Sequence, residues 1–235
     1  MKRNCVPLCR NKTLFRSIPV FGLLLSLLLW AIYPDPQAIR MKHSILWYLC
    51  LTALGVYLLL GAGWGRNRKY SVLGGVRSVA QSISYEVCLF LIVLHNIFYF
   101  QYDITERMMT CLSLFLFLQM LLFFMVALAE TNRSPFDFSE GESELVSGFN
   151  TEFASAPFVM IFLAEYTSIL FMSLSIALLF IMTNTWDAVT AAMLWASAFI
   201  WRRGTLPRLR YDQLISLAWK RVLPLVLTTC SLLVC

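Results

Sequence analysis

The sequence is poor in charge. Only 14% of its 235 residues are Asp, Glu, Lys or Arg, whereas a typical soluble protein carries about 25%. With 10 Gly and 8 Pro, it also lacks the composition of collagen or of a disordered chain. What it has instead is apolar: 59% of the residues are hydrophobic, and the mean hydropathy is +0.71. A soluble protein of this length cannot bury that much apolar surface, so the composition predicts a membrane protein.

Metal-binding patterns are also missing. The two histidines, His43 and His95, lie far apart in the chain. The seven cysteines lack the paired short spacings that zinc and iron–sulfur sites require. We therefore predict no metal on this chain, cysteines that act as small apolar fillers between helices, and any electron carrier on another chain. The cysteines are Cys5, Cys9, Cys50, Cys88, Cys111, Cys230 and Cys235.

Apolar runs near the length that crosses a bilayer occur seven times and predict an all-α, polytopic transmembrane helix bundle. The runs are apolar on every side, which excludes the alternating pattern of a membrane-spanning barrel. The fifth is long, which predicts tilt, a kink near Pro157 or a protruding helix. The last two are short, so we expect them to extend into the polar flanks. The predicted spans are Ser17 to Tyr33, Ser44 to Trp64, Ser84 to Phe100, Thr110 to Ala129, Ala154 to Met182, Ala188 to Trp201 and Val222 to Cys235.

The loops divide sharply by charge. Sixteen Lys and Arg fall on the side of the N-terminus, and three (Arg40, Lys42 and Arg107) fall on the other. The positive-inside rule therefore places the N-terminus in the bacterial cytoplasm or the mitochondrial matrix. This topology accounts for the net charge of +6, so no nucleic-acid partner is needed to explain it.

The first sixteen residues form a basic tail without acids. Either a short matrix or cytoplasmic tail or a mitochondrial import sequence explains it, whereas a cleavable secretory signal is not apparent. The domain prediction is therefore a tail at residues 1–16 and a transmembrane helical domain at residues 17–235, with an acidic loop at residues 130–153.

That loop breaks the charge pattern of its side. It holds one base, Arg133, and alternates acids with aromatic and aliphatic residues, a composition more typical of a segment folded into protein than of a solvated loop. Two carboxylates at ~4 Å and an effective dielectric of ~20 repel by ~4 kcal/mol, which raises the pKa of one of them toward neutrality. We therefore predict proton exchange in this loop, against the alternative of a solvated charge run. Its acids are Glu130, Asp137, Glu140, Glu142, Glu144 and Glu152.

Two further acids, Glu86 and Glu165, lie inside predicted spans. A charge at the bilayer centre costs ~2.5–3.5 kcal/mol, so such residues usually face a bundle interior or a partner. The alternative for Glu165 is a protonated acid bonded to a neighbouring helix. Among the bases on the same side, we expect Arg77, Arg208 or Arg210 to pair with loop acids, while most of the rest contact lipid headgroups.

Four motifs together resemble subunit 1 of respiratory complex I, the membrane subunit family of NADH:ubiquinone oxidoreductase. The similarity covers nearly the whole chain from about Pro19 onward. The motifs are LGGVRSVAQSISYEV (Leu73 to Val87), AETNRSPFDFSEGESELVSGFNTEF (Ala129 to Phe153), AEYTSILFM (Ala164 to Met172) and PRLRYDQLISLAWK (Pro207 to Lys220).

This resemblance implies a core subunit in the mitochondrial inner membrane, or alternatively in a bacterial plasma membrane. Such a subunit walls part of the cavity in which ubiquinone is reduced and couples that reduction to proton pumping. The acidic loop would lie beneath the cavity with Arg133 among its acids, Arg77 would help line the region, and Glu86 and Glu165 would continue an acidic path. Flavin mononucleotide, the iron–sulfur clusters and the nicotinamide site would belong to other subunits, so the isolated chain is expected to be inactive.

The resemblance also implies partners: the peripheral-arm subunits of the quinone site, the adjacent membrane subunits and lipid. Family members carry a first helix and an amphipathic segment before the region matching Ser17, and neither is present here. We expect a separate chain to supply that helix, with closure by neighbouring subunits as the alternative. Two other functions remain open: a hydrogenase- or formate-linked membrane subunit of the same ancestry, and an independent ion or carboxylate transporter.

Overall fold

The computed structural model of the chain describes residues 12–31, 44–65, 69–101, 109–132, 135–136, 156–180, 185–207 and 209–234. All regular structure in these ranges is helical, which confirms the all-α prediction. A π-helical segment, Ala218–Val222, joins the last two helices. The helices are α1 (Lys12–Ala31), α2 (Ser44–Trp64), α3 (Lys69–Gln101), α4 (Met109–Glu130), α5 (Ala156–Phe180), α6 (Thr185–Thr205), α7 (Tyr211–Leu217) and α8 (Leu223–Val234).

The helices differ from the predicted spans mainly at their ends. Helix α3 begins at Lys69 instead of Ser84, so Lys69 and Arg77 belong to a helix and not to a loop. Pro157 is the second residue of α5, a position where its missing N–H has no intrahelical partner to lose, so it does not kink the helix interior. Helix α6 and the α7–α8 segment extend beyond the predicted sixth and seventh spans into the polar flanks, as expected.

Four helical segments in the described part of the chain are long and apolar enough to cross a membrane: Leu46–Trp64, Lys69–Asn96, Ala156–Phe180 and Tyr211–Ser231. Two shorter apolar helices, Phe15–Ala31 and Leu116–Glu130, lie in α1 and α4. Large apolar side chains are exposed on the helices, among them Tyr57 of α2 and Met193 and Leu194 of α6. Such surfaces suit contact with lipid or with other membrane subunits.

Hydroxyl groups in these helices are satisfied by the helices themselves. The Oγ atoms of Ser26, Ser78 and Ser175 donate to carbonyl oxygens three residues earlier, at 2.7–2.8 Å. The Oγ1 of Thr229 does the same to Val226. In a membrane, where water does not solvate polar groups, this internal bonding removes the penalty for carrying a hydroxyl.

The chain divides into two compact units. The first comprises the described residues within Met1–Ile83 and Asp137–Phe171. Helix α1 packs on α2 there, around a small core of Phe15, Ile18 and Ala62. The indole Nε1 of Trp30 donates to the Thr167 carbonyl oxygen at 3.3 Å, which ties α1 to α5.

The second unit comprises the described residues within Ser84–Phe136 and Met172–Cys235. Aromatic contacts hold its helices: Phe124 of α4 packs against Trp195 and Phe199 of α6, with ring centroids 5.1 and 4.9 Å apart. Phe123 meets Phe180 of α5 at 5.9 Å, and α4 also packs against α8. This unit contains the residues from which the candidate site is built.

Candidate functional site

Tyr85 is the structural centre of the site. Its side chain is fully buried, and its hydroxyl donates to the Leu214 carbonyl oxygen of α7 at 3.1 Å. Its ring packs against Phe136, also fully buried, with centroids 5.8 Å apart. The backbone N–H of Leu209 donates to the Pro135 carbonyl oxygen at 3.0 Å. The short described segment 135–136 is therefore fastened to α3 by an aromatic contact and to the residues before α7 by a hydrogen bond.

The C-terminus of α4 turns sharply at Asn132. The backbone N–H of Thr131 donates to Ala127 at 3.0 Å and that of Asn132 to Ala129 at 3.3 Å. Asn132 then adopts a φ of 50°, the left-handed conformation that Asn tolerates better than most residues and that commonly ends helices. This turn closes α4 directly after Glu130.

Glu130 and Glu86 form an acid pair at this end of α4. Glu130 follows the apolar run that ends at Ala129, at the polar end of the span, and its Oε2 is buried with no hydrogen-bond partner among the described residues. Removal from water raises the pKa of the Glu130 carboxyl to about 8, and the negative charge of Glu86 adds to this rise. Glu130 is therefore able to hold and exchange a proton near neutral pH.

The π-helical segment provides a second connection to α3. Pro224 has no N–H to donate to the carbonyl four residues before it, and the wider turns of Ala218–Val222 end two residues before it. Within this segment the Trp219 Nε1 donates to the Ser84 Oγ at 3.3 Å. Tyr85 and Ser84 thus bond to Leu214 in α7 and to Trp219 in the π-helical segment, which fixes the start of the acid-bearing part of α3.

The other predicted site residues are not all described. Glu165 is half-buried in α5 and belongs to the first unit, and Arg77 is half-buried in α3. The Arg210 Nε lies 3.5 Å from the Asp212 Oδ2 with both side chains about three-quarters exposed, so this ion pair contributes little stability. Pairing of Arg77 or Arg210 with loop acids stays a prediction. Outside the described residues lie Arg133, Asp137, Glu140, Glu142, Glu144, Glu152 and Arg208.

Sequence reasoning missed three polar residues in the second unit. Asn96 and Gln119 are fully buried and His95 nearly so. Each interrupts an apolar run, which is the one signal that could have identified them, since polar groups inside a membrane usually have a task. Within the described ranges, no group of three or more His, Cys, Asp and Glu lies together as a metal site requires.

Comparison with known proteins decides the family. A family model described as NADH dehydrogenase matches residues 1–234. The chain belongs to this family. Three of its relatives carry the name NADH-ubiquinone oxidoreductase chain 1. The protein of Aedes aegypti is 46% identical to this chain over 96% of this chain and 75% of the relative. The protein of Branchiostoma lanceolatum is 42% identical over 97% of this chain and 75% of the relative. The protein of Danio rerio is 41% identical over 94% of this chain and 73% of the relative.

Membership confirms the resemblance drawn from the four motifs. The chain spans about three-quarters of the length of these relatives. Its long apolar helices and its likeness to these animal relatives mark it as a multi-pass protein of the mitochondrial inner membrane.

Proposed function

We propose that this chain, as a core membrane subunit of respiratory complex I, helps to wall the quinone cavity and couples quinone reduction to a proton path that begins at Glu86 and Glu130. The observation that carries the proposal is the Glu130 carboxyl at the end of α4, whose Oε2 is buried without a hydrogen-bond partner among the described residues and whose pKa the charge of Glu86 helps to raise. The relatives named above support neither the hydrogenase-linked subunit nor the independent transporter.

The acid pair suits this role because its protonation responds to charge. Reduction of ubiquinone adds negative charge nearby, which favours the protonated form of a carboxyl group whose pKa is already close to neutrality. When that charge is neutralised, the proton is released, and Glu86 in α3 is the acid whose charge acts on Glu130. The anchors at Tyr85 and Ser84 keep the α3 acid in place while the charge changes.

The proposal extends to residues that lie outside the described part of the chain. Arg133, Asp137, Glu140, Glu142, Glu144 and Glu152 would form the loop beneath the cavity, with Arg77, Arg208 and Arg210 as supporting bases. Glu165 would continue the acidic path. Ubiquinone would bind at an interface with the peripheral-arm subunits, and flavin mononucleotide and the iron–sulfur clusters would lie on those partners. A separate chain that supplies a first helix stays a prediction.

The Glu130→Gln variant of the assembled complex tests this proposal. Gln keeps the size of the side chain but cannot exchange a proton, so we expect quinone-linked proton transfer to fall by roughly a hundredfold, the lower range for loss of an acid–base group. Assembly and NADH oxidation by an artificial electron acceptor should stay normal. Proton uptake per NADH in reconstituted vesicles is the measurement.

Asp187→Asn is the matched control, because Asp187 is an exposed acid of the same unit, in the first turn of α6. This variant should leave both quinone-linked proton transfer and NADH oxidation by the artificial acceptor unchanged. Normal proton transfer in Glu130→Gln would remove Glu130 from the mechanism.

A further inference from the structure

Helices α3 and α4 of the second unit each carry a fully buried amide side chain. The Nδ2 of Asn96 donates to the Ile92 carbonyl oxygen at 3.0 Å, which fixes the orientation of that amide, because only its nitrogen can donate. Its Oδ1 then has no partner among the described residues, and neither Oε1 nor Nε2 of Gln119 has one either. Asn96 and Gln119 are both 0% exposed.

Such groups are expensive in an apolar interior. A buried polar atom without a hydrogen bond costs about 1–3 kcal/mol, and three such atoms belong to these two side chains. Leu at either position would avoid that cost in an otherwise apolar helix. Buried water commonly satisfies groups of this kind, with about three hydrogen bonds to each water molecule. No carboxylate belongs to this set of atoms, so the donors and acceptors suit water better than a metal cation.

The helical geometry relates both amides to the acid pair. Asn96 lies ten residues after Glu86 in α3, and Gln119 lies eleven residues before Glu130 in α4, which corresponds to ~15 and ~16 Å along the helix axes. Consecutive spans run in opposite directions, so the two amides reach a similar depth in the membrane. The eleven-residue spacing also returns to the same helix face, which places Gln119 on the Glu130 face of α4.

Buried residues connect Gln119 to Glu130 on α4, and connect Asn96 to Tyr85, the neighbour of Glu86, on α3. On α4, Phe123, Val126 and Ala127 between Gln119 and Glu130 are 0% exposed. On α3, Leu89 and Ile92 between Tyr85 and Asn96 are 1% and 0% exposed. Both faces therefore point into the protein interior and not toward lipid.

His95 adds a third polar group at the same depth. It is 6% exposed, and its Nε2 has no partner among the described residues. Its position next to Asn96 brings an imidazole, which both donates and accepts protons, to the level of the two amides.

We propose that Asn96 and Gln119, with His95, bind ordered water inside the membrane and extend the proton path of Glu86 and Glu130 along α3 and α4. The amide atoms hold the water, and the water carries the proton between the acid pair and His95. The proton path rests on the role proposed for Glu86 and Glu130. The binding of water is independent of that role.

The test combines a density map with a proton measurement on the assembled complex. High-resolution electron microscopy of the native complex should show water within hydrogen-bond distance of the Gln119 amide and the Asn96 Oδ1. In Gln119→Leu this water should be lost, and proton transfer per NADH should fall while assembly is retained. Met120→Leu, a change at the next residue of α4, should alter neither the bound water nor proton transfer.

The outcomes separate this proposal from the function on which it rests. Two results would overturn it. One is a native map in which the amides bond directly to protein atoms with no water between them. The other is bound water in the native complex together with normal proton transfer in Gln119→Leu. If Gln119→Leu does not assemble, Asn96→Leu and the native map decide in the same way. Failure of the proposed function is distinguishable, because it shows as normal proton transfer in Glu130→Gln.

Discussion

At the scale of single residues, Tyr85 shows how one side chain can organise a site. Its ring and its hydroxyl serve different neighbours: the ring packs on Phe136, and the hydroxyl bonds to the Leu214 carbonyl oxygen. The two contributions can therefore be separated by substitution.

Tyr85→Phe removes only the hydroxyl. The Leu214 carbonyl still accepts the backbone N–H of Ala218, so no buried acceptor is left unpaired, and we expect a loss of about 1 kcal/mol in local stability. Hydrogen–deuterium exchange of the α7 backbone should rise about fivefold in the assembled complex. Tyr85→Leu, which also loses the ring contact, should raise exchange further. Exchange in Tyr85→Phe equal to that of the native complex would show that the hydroxyl contributes nothing, and equal exchange in the two variants would show the same of the ring contact.

The residue scale also shows what sequence can and cannot reveal. Glu130 and Glu86 were predictable, because an acid at the edge of an apolar run or inside it is conspicuous. That they influence one another was not, because it depends on how α3 and α4 pack. Asn96 and Gln119 were overlooked because neutral amides do not alter a charge count.

At the scale of helices, the contact between α2 and α3 depends on two glycines. A Cβ on Gly63 would lie 3.0 Å from the Ser71 carbonyl oxygen and 3.2 Å from the Gly75 Cα. A Cβ on Gly75 would lie 3.1 Å from the Gly63 Cα and 3.4 Å from the Leu59 carbonyl oxygen. All these neighbours are backbone atoms that cannot move aside, so the helices approach closely only because both side chains are absent.

Gly75→Ala should therefore push the two helices apart and cost about 1–3 kcal/mol, as other overpacking substitutions do. The amount of assembled complex and its thermal denaturation temperature are the measurements, and both should fall. Gly55→Ala in α2 is the control, because a Cβ there meets nothing within 4 Å. Equal behaviour of the two variants would refute the close-packing interpretation.

Helix ends were the least predictable elements. Apolar runs located the spans, but α3 begins at Lys69, well before the predicted start at Ser84. The π-helical turns of Ala218–Val222 follow from Pro224 only once the neighbouring helices are known.

At the scale of the whole chain, composition and the four motifs were enough to predict an all-α membrane protein and its family. The structure confirms the fold class, and the comparisons confirm the family. The division into two compact units was not predicted, because it depends on contacts between residues far apart in the chain. Orientation in the membrane and the role of the acidic loop remain predictions.

The proposed coupling depends most on Glu130 being held as a neutral acid by the surrounding protein. Infrared spectroscopy of the assembled complex, with Glu130→Gln as the difference reference, measures this directly. We predict a protonated-carboxyl band, absent from the variant, that persists at neutral pH and disappears as the pH rises through about 8. A band that instead disappears near 4.5, the ordinary pKa of a glutamate, would contradict the central claim.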